Sequence, residues 1–302
     1  MTDATGRGLT RPLVSVGVPV YNGERFLGRA LDSLLGQTLA DCELIISDNA
    51  SVDGTQAICE AYARRDGRVR YVRQPVNIGG PRNWNAVLQG ARGVFFKWAS
   101  ASDYCAPSMV EKCVRVMQAE PDVVVCHGLT QLVEEDEHPI EVFQGDTSFD
   151  EARPSERFRR VLEAMTLNNA QSGVIRLDVL RRTRLERLYP SGDMALMAEL
   201  ALYGKFRLIP EVLLYRRQSP GTFTALLSPE ERRRFLDPRT NPSLNLVRTK
   251  RHLDNLVSIA RAPLPLVEKL RTFQVALRLA RWERGTIWRE LQSLVGRSGG
   301  TA

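Results

Sequence analysis

The chain is poor in the residues that build metal centres and disulfide frameworks. It has only three histidines (His127, His138, His252) and no HExxH spacing, so a zinc site is not expected. Its five cysteines (Cys42, Cys59, Cys105, Cys113, Cys126) are odd in number and contain no CxxC pair. They read as reduced, mostly buried thiols of a cytosolic protein. No apolar run approaches the roughly 18–20 residues that a membrane span requires. The first ten residues, MTDATGRGLT, lack the apolar core of a signal peptide, and residues 1–11 are expected to be a short disordered lead-in. No GxGxxG follows the first apolar strand, which disfavours a dinucleotide-dependent dehydrogenase. No helix-turn-helix, RNP or zinc-finger spacing is present, so nucleic acid is not an expected partner.

What is present is an ordinary folded composition. Of 302 residues, 43% are hydrophobic and 25% charged. That suits one large domain, or one domain plus an appendage. The charge is uneven. Residues 1–150 carry 14 basic and 20 acidic side chains, a net −6, whereas residues 151–302 carry 28 and 15, a net +13. An excess of this kind points to an anionic partner for the second half (phosphate, an acidic membrane surface or, with no binding motif beside it, nucleic acid), with an arginine bias of composition as the plain alternative.

The first hundred residues alternate strand and helix. Leu13–Pro19, Cys42–Ser47, Val69–Val72 and Gly93–Trp98 read as strands. Glu24–Leu35, Thr55–Arg64 and Trp84–Gly90 read as the helices between them. This βαβ rhythm predicts an α/β fold with a mostly parallel sheet and helices on both faces. Ligands of such sheets bind at the carboxyl ends of the strands. The segments there, Val20–Glu24, Asp48–Thr55, Asn77–Asn85 and Ser100–Asp103, are all rich in Asn, Asp, Ser and Gly, which predicts a polar-ligand site. Beyond residue 105 the rhythm breaks. Helices are expected at Met109–Met117 and Pro154–Met165, and an amphipathic one at Asp193–Gly204. Val123–Cys126, Gly173–Ile175 and Phe206–Tyr215 read as strands, and the acidic stretch Gln131–Ser148 as a hairpin or loop. Arg216-Arg217 reads as a basic turn. Pro229–Leu236, Leu244–Ile259 and Pro265–Val295 then read as helices.

Four segments, LVSVGVPVYN (Leu13–Asn22), SDNASVDGT (Ser47–Thr55), NIGGPRN (Asn77–Asn83) and FKWASASD (Phe96–Asp103), together resemble family 2 of the inverting glycosyltransferases, with its GT-A fold, in order and spacing. The resemblance covers about residues 12–217. It implies a catalytic domain over 12–227, with a nucleotide-binding part at 12–105 and an acceptor part at 106–227. It also implies a nucleotide diphosphate sugar of UDP, GDP or dTDP type as donor. The acceptor would be a hydroxyl of a bacterial-type glycan, glycolipid or secondary metabolite.

On that resemblance Pro19, Tyr21 and Asn22 form the first nucleotide loop, followed by the acidic position Glu24. Asp48 would accept a base N–H; an Asx turn or helix cap is its structural alternative. Arg82 and Asn83 would contact base or phosphate. Asp103 would hold Mg²⁺ or Mn²⁺. Ser102 stands where the family pair has its first Asp, and it would keep only a ribose hydrogen bond. Gln218 stands where a His is frequent. Arg216 and Arg217 could meet the diphosphate in its place. Asp193 would be the catalytic base, its alternative being the cap of the following helix.

Residues 228–302 lie outside the resemblance and read as a basic helical extension with Trp282 and Trp288. Packing on the catalytic domain, a homodimer contact and an anionic membrane surface are its three readings. The expected location is cytoplasmic, or peripheral at the inner face of the membrane. The functional alternative is an impaired member that binds a nucleotide sugar or glycan through a degraded metal site.

Overall fold

The computed structural model describes residues 11–218 and 246–295, and between them residues 228, 230, 235, 236 and 238. The lead-in at 1–10 and most of the helix expected at Pro229–Leu236 lie outside the described residues. The first half builds a parallel sheet from β1 (Val14–Val20), β2 (Cys42–Asp48), β3 (Val69–Arg73) and β4 (Phe95–Trp98). β1 is buried at every position because it is flanked by β2 and β4 and covered on both faces. The helices between these strands are α1 (Leu27–Leu35), α2 (Thr55–Arg65) and α3 (Gly80–Ala86).

The second half adds β5 (Tyr104–Cys105), α4 (Met109–Ala119), β6 (Val123–Val133), β7 (Pro139–Val142), α5 (Pro154–Ala164), β8 (Val174–Arg176), α6 (Leu177–Arg182), α7 (Gly192–Ala201) and β9 (Lys205–Arg217). The nine strands form one sheet in the order β3-β2-β1-β4-β8-β6-β9-β5, with β7 paired to β6. β8 runs antiparallel to β4 and β6, so the sheet is mixed beyond β4. Alternate residues of each strand feed two cores. Leu44 and Ile46 join α1 and α4 on one face, while Ile45 and Phe96 join α5 and α7 on the other.

Several elements differ from expectation for local reasons. α1 starts at Leu27, because Glu24 is held in the preceding turn by Asp53 and Gly54. α3 begins at Gly80: Gly79 at φ 89 makes the sharp entry, and Pro81 is tolerated in the first turn. The basic pair Arg216-Arg217 ends strand β9 instead of forming a turn. The helix expected to be amphipathic from Asp193 is buried at every position from Ala195 to Ala201, since α5, β6 and a later helix surround it.

That later helix is α8 (Val247–Arg261), followed by α9 (Leu266–Trp282) and α10 (Arg284–Val295). The single long helix expected at Pro265–Val295 is thus broken at Glu283. The Glu283 carboxylate accepts from Arg248, Arg251 and His252 of α8. α8 packs on α7 and α9 on α5, and Ile259, Ala262 and Ala276 share one core with Phe158 and Leu196. No described helix is long and apolar enough to cross a membrane.

Candidate active site

Two of the polar loops, Asn77–Asn85 and Ser100–Asp103, border a cleft of about 430 Å³. Trp84, Ser102, Asp103, Glu186, Asp193 and Arg216 are among its walls. The structure therefore brings together the candidate metal, base and diphosphate residues from three separate segments.

Asp103 lies in the turn between β4 and β5. Its Oδ1 accepts the Arg217 backbone N–H at 3.0 Å and the Ser102 hydroxyl at 3.3 Å. Burial pushes its carboxyl above the usual carboxylate range, and the positive Arg216 pulls it back. Among the described residues no three His, Cys, Asp or Glu side chains converge as a metal cage. The residues fit only an ion held by one carboxylate and completed by diphosphate oxygens, which is an ordinary arrangement for Mg²⁺.

Asp193 is the second residue of α7. The helix cap is Ser191, in the left-handed region at φ 66, and its side chain makes no capping bond. The Asp193 carboxylate faces the cleft, where Asn168 Nδ2 donates to its Oδ2 at 3.1 Å. Asn168 precedes a 3-10 turn, Asn169–Ser172. The fully buried Lys97 of β4 donates to the Ser172 carbonyl and fixes that turn from below. Arg216 donates from Nη1 to Asn169 Oδ1 at 2.7 Å, and Asn169 donates to Asp146 at 3.0 Å.

Arg217 behaves differently. Its side chain is 2% exposed, lies 4.5 Å from the Phe26 ring centroid and donates to the carbonyls of Ser102, Glu134 and Glu135. Its charge also pairs with Glu137. The guanidinium expected at a diphosphate instead ties the end of β9 to the β6–β7 hairpin, and Arg216 is the one whose position suits an anion in the cleft.

The nucleotide loops are sewn to one another. Asn22, at φ 50, accepts the Val52 N–H at 2.9 Å, and Ser51 Oγ accepts the Asn22 N–H at 2.9 Å. Glu24 accepts the Gly54 N–H at 2.9 Å. Pro19 is buried in β1. Asn83 is buried and clamps both the hydroxyl and the carbonyl of Ser47. Asp48 is 0% exposed, accepting from the Ser51 N–H (2.9 Å), Tyr71 (2.9 Å) and Arg73 (2.6 Å). In this arrangement it offers no open edge to a base. Tyr21 is 48% exposed at the loop tip, and Arg82 donates to the Ile78 carbonyl at 3.3 Å.

Three cleft residues escaped the sequence reading: Asn168, Gln171 and Glu186. They lie in no motif, and Glu186 sits in the arginine-rich run RRTRLERLYP, which looks like a solvated surface. Lys97 did carry a signal, a lone cation inside the apolar strand GVFFKW.

A mixed α/β sheet with a polar cleft at its strand ends, walled by carboxylates and an arginine, is the architecture of a GT-A domain. Residues 15–171 match the model of glycosyl transferase family 2, and the chain belongs to that family. It is 37% identical over 116 residues to the uncharacterized glycosyltransferase EpsJ of Bacillus subtilis, covering 38% of this chain and 33% of that protein. It is 30% identical over 230 residues to an uncharacterized protein of Mycobacterium bovis, covering 72% and 62% respectively. The chain thus spans about a third of the first relative and under two thirds of the second. Among solved structures it resembles S. aureus TarS 1-349 in complex with UDP-GlcNAc (TM-score 0.62, 19% identity, 90% of this chain and 74% of that one). It also resembles the mannosyltransferase PcManGT from Pyrobaculum calidifontis in complex with GDP-Man and Mn²⁺ (TM-score 0.53, 17% identity, 95% and 86%). At these identities the likeness establishes the GT-A fold.

Proposed function

We propose that the chain transfers a sugar, with inversion, from a nucleotide diphosphate sugar to a hydroxyl acceptor. The observation that carries this reading is the position of Asp193 and Asp103 in one cleft with Arg216. Asp193 removes the proton of the acceptor hydroxyl. The freed oxygen attacks the anomeric carbon as the bond from that carbon to the diphosphate oxygen breaks, and a nucleoside diphosphate leaves. One displacement inverts the anomeric configuration and needs no enzyme nucleophile.

Asp103 is the residue that would hold Mg²⁺ or Mn²⁺ against the diphosphate, and the ion would supply positive charge to the leaving group. Arg216 adds a second positive charge there. Ser102 bonds a ribose hydroxyl, Tyr21 lies against base or ribose, and Arg82 reaches base or phosphate. Asp48 reads the base only after Arg73, whose side chain is 35% exposed, swings away. Pro19, Asn22, Glu24 and Asn83 act by shaping these loops. The UDP-GlcNAc and GDP-Man held by the two structural neighbours support a UDP- or GDP-type donor. We take 12–105 as the nucleotide side and 106–227 as the acceptor side. The outward face of α9, with Leu266, Leu270 and Leu277 exposed, suits a second copy or the inner face of a membrane in the cytoplasm.

The loss of one acidic residue at Ser102 favours a second reading, an impaired member that binds its donor without turnover. Product analysis with UDP-GlcNAc and GDP-mannose, with Mn²⁺ or EDTA, separates the two. Transfer with an inverted anomeric proton signal supports the first, and nucleotide binding without turnover the second.

A further inference from the structure

Asp193 has a companion carboxyl that no motif marks. Glu186 lines the same cleft, and a continuous hydrogen-bonded chain joins the two groups. Asn168 Nδ2 donates both to Asp193 Oδ2 (3.1 Å) and to Gln171 Oε1 (3.2 Å), and Gln171 Nε2 donates to Glu186 Oε2 (3.2 Å). The backbone of Glu186 is clamped at two points by Asn85 of α3, which accepts its N–H at 3.1 Å and donates to its carbonyl at 3.0 Å. A nucleotide-loop helix therefore fixes a residue on the far wall.

The chain direction places Glu186 in the cleft and its neighbour outside it. Leu185 takes the left-handed conformation at φ 58. Arg187 then points into the core, where its Nη2 donates to the buried Glu199 of α7 at 2.6 Å and its Nε lies 3.8 Å from Asp254 of α8. No cation pairs with the Glu186 carboxyl among the described residues. The charged groups around it are Asp193 on α7, the core-facing Arg187, and Asp103, Arg216 and Arg217 elsewhere on the cleft wall.

We propose that Glu186 binds the acceptor, its carboxyl hydrogen-bonding a second hydroxyl of a polyhydroxylated acceptor while Asp193 deprotonates the attacking one. This rests on the transferase reading above. Desolvation first, and then the nearby Asp193 charge, push the Glu186 carboxyl up to about 8. At neutral pH it therefore holds its proton and offers both a donor and an acceptor, which matches the edge of a diol. A carboxyl that keeps its proton serves as a hydrogen-bond donor to the acceptor while the base chemistry is left to its neighbour.

The test uses the full chain with UDP-GlcNAc and GDP-mannose as donors and simple alkyl glycosides as acceptors, for wild type, Glu186→Gln and Glu186→Ala. Glu186→Ala is expected to raise the glycoside KM about tenfold or more, with donor KM and acceptor-free donor hydrolysis unchanged. Glu186→Gln is expected to keep kcat near wild type at pH 7 and to lose the fall in kcat/KM above about pH 8. An unchanged glycoside KM in Glu186→Ala, or an alkaline fall that persists in Glu186→Gln, overturns the proposal. Absence of transfer by wild type with both donors would instead count against the transferase reading. In that case the pH series of melting temperature still decides on Glu186. The gain of Glu186→Gln over wild type should grow from pH 5 to pH 8, and a gain that does not change with pH overturns the buried-acid role.

Discussion

Asn168 and Asp193 meet at 3.1 Å, an amide N–H from the lead-in to a 3-10 turn on a carboxylate in the first turn of α7. The bond holds the candidate base in the cleft and leaves its other oxygen for a substrate. Asn168→Ala is expected to lower kcat about tenfold to a hundredfold with donor KM unchanged, because it frees the base to rotate. Steady-state kinetics with varied donor measures this.

The two adjacent arginines should separate cleanly. Arg217→Ala strips a buried cation from three carbonyls and Glu137, so a stability loss of about 3 kcal/mol is expected. Arg216→Ala should leave the melting temperature within a few degrees of wild type and raise the donor KM. Thermal denaturation and donor titration of both variants distinguish a tie from an anion contact.

Metal affinity should respond to Ser102. Restoring a carboxylate with Ser102→Asp adds an anionic ligand beside Asp103, and the Mn²⁺ concentration for half-maximal activity is expected to fall about tenfold. A metal titration after EDTA treatment reads this directly.

His127 sets an acid limit. It is 2% exposed, its Nε2 has no hydrogen-bond partner among the described residues, and desolvation holds its pKa below the usual value. As pH falls below about 6.5 the unfolded chain takes up a proton that the folded ring refuses. Stability is thus full above that pH and declines below it, by up to about 1.4 kcal/mol per unit. His127→Phe should show a shallower decline in melting temperature between pH 7 and pH 5.

The sheet and the loop positions were legible in the sequence because short β-branched apolar runs and turn clusters are local signals. Asp193 and Asp103 were singled out by their motifs, and both line the cleft. Asn168, Gln171 and Glu186 were not, because they lie in connecting segments outside every motif and only the tertiary fold brings them to the cleft. The amphipathic reading of α7 failed because α8, which starts only at Val247, covers its outer face. Arg217 and Asp48 had the residue type for ligand contact, and only tertiary structure shows their charges already engaged by Glu137 and Arg73.

The central claim is that Asp193 is the base of an inverting transfer. The most direct measurement is turnover of Asp193→Asn beside wild type with the productive donor and acceptor, with nucleotide binding followed in parallel. A fall in kcat of about 10²–10⁴ with nucleoside diphosphate affinity unchanged is the expected result. Transfer by Asp193→Asn at the wild-type rate would contradict it.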